Sequence, residues 1–238
     1  MTAQPGRSIS WWALAVTCQQ VGAGGRSASA YRVFLSLEPA DGGGWSNLSV
    51  ALREARQHGA AVAAGRRAAL TAPDSDAALV NLGSAQHAAE AYHPAADASR
   101  RALTLAPASA DALMNLGASL DELHASMDAE RALLRCLRLR PGDPLALAQL
   151  GRARERAGGA AADRTLRRAL AASPADEEGW AALGRARLRL GDPAAALICA
   201  QRALTVQPDL PTGLLAKGAA LEAGGGTLRG RLWPSMTG

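Results

Sequence analysis

The stretch DAALVNLGSAQHAAEAYHPAADASRRALTLAPAS, residues 76–109, decides the reading, because residues 110–143, ADALMNLGASLDELHASMDAERALLRCLRLRPGD, nearly repeat it. Asn81-Leu82-Gly83 returns as Asn115-Leu116-Gly117, Arg101-Ala102-Leu103 as Arg135-Cys136-Leu137, and Pro107 as Pro141. Outward from this pair the closing proline recurs at Pro39, Pro73, Pro174 and Pro208, so the six marks lie 34, 34, 34, 33 and 34 residues apart. A fixed period of this size is the mark of an array of stacked supersecondary units.

Each unit reads as two short helices. With Asp76 as position 1, the first helix carries apolar residues at positions 4, 7 and 11, which is helical spacing. Position 8 is small throughout: Ala15, Ser49, Gly83, Gly117, Gly151, Gly184 and Gly218. So is position 20 in the second helix: Ser27, Ala61, Ala95, Ala129, Ala162 and Ala196. A helical glycine costs about 1 kcal/mol against alanine, and close approach of the two backbones where 8 meets 20 is the offsetting gain. Positions 28 and 30 are mostly apolar and are expected to pack on the next unit. Proline at position 32 ends the second helix, since it lacks the N–H and pushes its predecessor out of the helical region. Asp143-Pro144 and Asp192-Pro193 supply an N-cap followed by proline at the first helical position.

This pattern resembles the tetratricopeptide repeat (TPR) family: Trp or Leu at position 4, Leu at 7, Gly at 8, Ala at 20, Ala at 27 and Pro at 32. Residues 177–210 carry it most fully, with Trp180, Leu183, Gly184, Gly191, Ala196, Ala203 and Pro208. The resemblance implies an all-α, right-handed α-solenoid of stacked helix–turn–helix units.

The repeats are placed at 8–41, 42–75, 76–109, 110–143, 144–176 and 177–210, followed by a terminal helix at 211–223. Residues 1–7 are expected to form a loose arm, the array to run over 8–226, and residues 227–238 to be an unstructured tail. Phe34 departs from the small residues of position 27, and Gly42-Gly43-Gly44 weakens the opening of repeat two. Repeat five is one residue short, and the gap is best placed near Gly158-Gly159, because Ala169-Leu170 and Pro174 return to phase. The segment ISWWALAVTC, residues 9–18, has the look of a short signal segment, yet Trp11, Leu14, Ala15, Gly22 and Pro39 all keep repeat phase, which favours a divergent first repeat.

The chain has a net charge of +5, and arginine supplies all but one of its 26 basic residues, the composition of a GC-rich bacterial genome. A basic balance also suits nucleic acid or an acidic partner, but no aromatic-interleaved basic stretch favours nucleic acid. Cys18, Cys136 and Cys199 are odd in number, widely spaced and at packing positions. They read as small hydrophobes in a reducing, cytoplasmic compartment rather than as disulfides or metal ligands. No run approaches the roughly 18 apolar residues of a membrane span. His58, His87, His93 and His124 are scattered, and no catalytic, cofactor or metal motif is present.

The informative set is Asn47, Asn81, Asn115 and Gln149, all at position 6 and 34 residues apart, which stacks them on successive first helices. A carboxamide holds an acceptor and two donors, so it can pair with both polar groups of an extended peptide's backbone without reading side chains. Asparagine that caps local polar groups, copied by duplication, is the plainer alternative. The ladder resembles that of the O-GlcNAc transferase (Spindly-like) family, whose TPR region holds protein substrates by their backbone; Gln149 departs from it, and Ala182 and Ala216 end it. A second set, Arg152, Arg156, Arg185 and Arg189, occupies positions 9 and 13 of repeats five and six and is placed to attract an acidic peptide or phosphate; a solvated arginine face is the alternative.

The sequence therefore points to a non-catalytic protein–protein interaction scaffold that binds an extended peptide segment in the concave groove of a TPR superhelix, with another protein as partner and no cofactor. The alternative is the substrate-recruiting part of a larger glycosyltransferase whose catalytic domain is absent.

Overall fold

The computed structural model describes the backbone of residues 5–232 and the side chains of 7–225. These residues form thirteen helices and no strand among the described residues. In chain order they are α1 (Pro5–Gln20), α2 (Gly24–Leu37), α3 (Gly42–Glu54), α4 (His58–Thr71), α5 (Asp76–Ala88), α6 (Tyr92–Leu105), α7 (Ala110–Glu122), α8 (Ser126–Leu139), α9 (Pro144–Arg156), α10 (Ala162–Ala172), α11 (Glu177–Arg189), α12 (Pro193–Val206) and α13 (Pro211–Leu232). Odd-numbered helices are the first helices of the repeats and even-numbered ones the second. The chain divides after His124, at the turn inside repeat four, into one unit holding α1–α7 and another holding α8–α13.

Within a unit each helix packs on its chain neighbours, α5 packs on both α3 and α7, and α11 on both α9 and α13. This nearest-neighbour pattern is an α-solenoid. The contact between positions 8 and 20 is where the small residues require it. Ser27 Oγ donates to the Ala15 carbonyl at 2.9 Å, and Ser49 Oγ to the Ala61 carbonyl at 2.8 Å. A Cβ placed on Gly83 or Gly184 would lie 3.3 Å from the Ala95 or Ala196 carbonyl, whereas one on Gly151 would meet Leu166, one turn beyond position 20, with 2.6 Å to its Cγ.

The turns between first and second helices share one device. Position 15 is left-handed in every repeat: Gly22, Arg56, Glu90, His124, Gly158 and Gly191 all have positive φ. The residue that follows donates back across the turn, as in Ala23 N–H to the Cys18 carbonyl, Gln57 to Leu52, Ala91 to Gln86, Gly159 to Arg154 and Asp192 to Arg187, which closes a Schellman motif. Helices α3, α5, α7, α9 and α11 are capped by an acceptor side chain just before them: Asp41, Ser75, Ser109, Asp143 and Asp176 each take a backbone N–H of the first turn. Asp192 does the same for α12. Thus Asp143-Pro144 and Asp192-Pro193 cap as their sequence implies.

Phe34 finds its reason in packing. Trp12 meets Tyr31 and Phe34 edge-on at centroid separations of 5.5 and 5.1 Å, making an aromatic cluster in the first repeat. A Cβ on Gly44 would lie 2.7 Å from the Phe34 ring. The glycine that looked like a weak helix start is the space that the large residue occupies. Trp45 and Trp180, both at position 4, donate Nε1–H to the Pro39 and Pro174 carbonyls at 2.9 and 2.8 Å. Arg67 and Arg202 lie over their rings at 5.8 and 5.0 Å. The closing proline of one repeat is thereby tied to the first helix of the next.

Four details differ from expectation. Position 28 packs, as at Leu103 against Leu79 and Ala112, but position 30 does not: Leu37, Leu105, Leu139 and Val206 are exposed, because two residues along a helix turn the side chain to the far side. Helix α1 begins at Pro5, inside the expected arm; proline is suited to a first helical position. Helix α13 runs through Gly224-Gly225-Gly226 to Leu232, past the predicted end at 223, while residues 233–238 of the expected tail, like 1–4 of the arm, lie outside the described residues. In repeat five Gly158 keeps the left-handed place and α10 starts late, at Ala162, so the deletion falls in the opening of that helix.

Candidate functional site

Asn47, Asn81 and Asn115 stand at the same place on α3, α5 and α7, all half-buried in the first unit. Their amides are engaged with the preceding repeat. Asn81 Nδ2 donates to Ser46 Oγ at 2.8 Å. Asn115 Nδ2 donates to Ser84 Oγ at 2.7 Å and to the Val80 carbonyl at 3.2 Å. Asn47 hydrogen-bonds the buried Tyr31 hydroxyl, opposing the burial that raises that phenol above its ordinary value of 10.0. The ladder is thus a set of braces between successive repeats. A carboxamide offers two N–H donors and one carbonyl acceptor, and at Asn115 the donor side is already turned inward. Gln149, on α9 in the second unit, is half-buried as well. Ala182 and Ala216, at the next two places, are buried.

The arginine set is organised around one carboxylate. Glu155, on α9, is 2% exposed. Arg185 Nη2 approaches its Oε2 at 3.0 Å, and Arg189 Nη2 binds both its Oε1 and its backbone carbonyl. Two guanidinium groups on a single buried carboxylate leave one net positive charge at this place. Arg152 lies 3.5 Å from Asp176, the cap of α11, and Arg156 is exposed. So Arg152, Arg185 and Arg189 join α9 to α11 before they can meet a ligand.

Two features escaped the sequence reading. The first is His87 on α5, whose Nδ1 lies 3.3 Å from Ser119 Oγ on α7. Burial holds this imidazole below its ordinary value of 6.5, and the Glu122 carboxylate opposes that in part. Ser119 is 0% exposed, so the pair joins two repeats and gives its hydroxyl no access to a substrate. The second is a row on the second helices: Arg67, Arg101, Arg135, Arg168 and Arg202 all occupy position 26 and are all exposed. The repeat period carried that signal openly. Among the described residues no group of His, Cys, Asp and Glu is arranged to hold a metal ion, and no helix is long and apolar enough to cross a membrane.

With this geometry in view, the comparisons with known proteins can be placed. Residues 177–210 match the family model of the tetratricopeptide repeat. No curated protein matches the sequence. Among solved structures, the APC/C hetero-tetramer Cut9–Hcn1 superposes with a TM-score of 0.82 at 18% identity, over 90% of this chain. This chain spans 42% of that one. PilW, a type IV pilus biogenesis factor, superposes with a TM-score of 0.76 at 18% identity, covering 89% of this chain and 99% of PilW. YrrB, described as a TPR protein with an unusual peptide-binding site, gives 0.59 at 22% identity over 80% of this chain and 99% of YrrB. Identities this low carry the TPR solenoid fold and leave function to be argued. They lend no support to a glycosyltransferase reading.

Proposed function

We propose that this protein is a non-catalytic scaffold that holds an extended segment of another protein along its first helices, with Asn47, Asn81 and Asn115 as the rungs. One observation carries the reading: three carboxamides stand in register 34 residues apart, and Asn81 and Asn115 are pinned by their own N–H groups to the preceding repeat. A side chain already fixed in place loses little further freedom on binding, so its contribution to affinity is not spent on ordering. What remains to offer at Asn115 is the carbonyl oxygen. The rungs would therefore accept N–H groups from the peptide backbone, a narrower role than pairing with both of its polar groups.

Gln149, on α9 of the second unit, holds the same repeat position with a longer carboxamide. Arg152, Arg156, Arg185 and Arg189 stand in a secondary place, because Arg152, Arg185 and Arg189 are already held by Asp176 and Glu155. The binding of peptide by YrrB supports the class of partner only. Three free thiols and a composition of arginine over lysine support a reducing, cytoplasmic setting in a bacterium as part of this reading.

A peptide array of overlapping segments, probed with the wild type and with Asn81→Ala plus Asn115→Ala, tests it. Bound peptides are expected to lose affinity in the double variant, and also when their own backbone nitrogens are methylated. A double variant that unfolds near the wild-type temperature and keeps every peptide would remove the first-helix face from consideration.

A further inference from the structure

The outer face of the second unit carries a different chemistry. Its second helices α8, α10 and α12 bear Arg138, Arg164, Arg167, Arg168 and Arg202, all exposed. Arg167 reaches Asp163 only at 4.0 Å. Among the described residues no carboxylate lies within ion-pair distance of Arg138, Arg164, Arg168 or Arg202. This contrasts with the first helices of the same unit, where Arg185 and Arg189 pair with Glu155 and Arg152 with Asp176.

Two grooves flank α10. One, of about 450 Å³, has Leu170, Trp180 and Leu183 among its lining and Arg167, Arg187 and Arg202 around it. Ile198 on its wall is 56% exposed. The other, of about 510 Å³, has Leu134, Leu137 and Leu147 among its lining, with Arg138, Arg164 and Arg168. Helix α10 stands between them and presents Arg164, Arg167 and Arg168.

We propose that this face is a second docking surface, for an acidic peptide that places an aliphatic side chain in each groove while its carboxylates meet the arginines of α10. Charge selects the partner, since guanidinium forks match carboxylates in shape as well as sign. Apolar pockets ringed by a few polar groups suit buried side chains of a ligand. Single-stranded nucleic acid would use the same charge but needs exposed aromatic faces for its bases. Trp180 does not supply one: Arg202 covers its ring at 5.0 Å and the Pro174 carbonyl holds its N–H. The surface lies on second helices, apart from the asparagine row on first helices, so the two proposals stand or fall separately.

The test is fluorescence polarisation of a short labelled peptide of aspartate and glutamate containing two leucines, titrated with the full chain at low salt. Saturable binding is expected, weakening with added salt as exposed charges are screened. Arg164→Glu plus Arg168→Glu is expected to weaken it about tenfold or more; both side chains are exposed and unpaired, so the fold is kept. Leucine-to-alanine changes in the probe should weaken it as well, whereas Asn81→Ala plus Asn115→Ala should leave it unchanged. Absence of binding at low salt, an unaltered affinity in the reversed-charge variant, or indifference to the leucines would overturn the proposal. Tighter binding of polyuridine than of the peptide would overturn it in favour of RNA.

Discussion

The two units of this chain solve one problem by different means. In the first, successive first helices are joined by neutral groups: Asn81 to Ser46, Asn115 to Ser84, and His87 to Ser119. In the second, the same kind of joint is made by charge, with Arg185 and Arg189 of α11 closing on buried Glu155 of α9. A neutral joint costs little desolvation and leaves an acceptor to spare. A charged joint needs its partners to be complete, because a buried carboxylate without its cations is expensive. One repeat design can therefore leave usable polar atoms on one stretch of first helices and consume them on another.

Four measurements would sharpen or break this contrast. Glu155→Ala is expected to lose about 1.5–3 kcal/mol in urea unfolding, the range for hydrogen bonds to a charged group, while Asn81→Ala loses about 0.5–1.5 kcal/mol. Equal losses would mean that charge adds nothing to the second unit's joint. Gly151→Ala should cost roughly 1–3 kcal/mol as overpacking, since its Cβ would lie 2.6 Å from Leu166. At Gly218 nothing lies within 4 Å of a Cβ, so Gly218→Ala should instead gain about 0.5–1 kcal/mol.

Smaller effects follow in the first unit. Arg56 and Glu90 are non-glycine residues held at φ 59°. Replacing either by glycine relieves about 1–2 kcal/mol of left-handed strain against about 0.5–1 kcal/mol of added chain freedom, and a slight rise in melting temperature is expected. His87 should give the least effect, confined to acid. Its folded form takes up a proton only below the ordinary value of 6.5, whereas the unfolded chain binds it near that value. Stability is then constant above that point and declines as pH falls from 6.5 toward the folded value. The same titration of His87→Gln should show a shallower decline over that range.

The period was legible because proline and small residues occupy fixed places, and their reasons are local: Pro174 ends a helix, and Gly184 admits the Ala196 carbonyl. The asparagine row was legible as a row, but its direction was not. Whether Asn115 faces a ligand or Ser84 depends on the rise from one helix to the next, which no spacing along the chain encodes. Glu155 carries no mark in the sequence, since nothing local shows that its carboxyl is buried between two guanidinium groups. Arg56 and Glu90 hid their turns for a related reason: the left-handed place they fill is advertised only where glycine occupies it, as at Gly22, Gly158 and Gly191. The row Arg67, Arg101, Arg135, Arg168 and Arg202 was in plain view, yet in a chain this rich in arginine it does not stand out without the helix that turns it outward.

The tryptophan bonds to Pro39 and Pro174 bear on how such a chain comes apart. Where each repeat grips only its neighbours, fraying begins at the outermost modules and unzips inward. Trp45 fastens repeat two to repeat one, and Trp180 fastens repeat six to repeat five, while the interior repeats have Leu79, Leu113 and Leu147 at that place and no such bond. Each clasp adds one hydrogen bond to a single junction between repeats, so those two junctions are expected to part later than junctions without it.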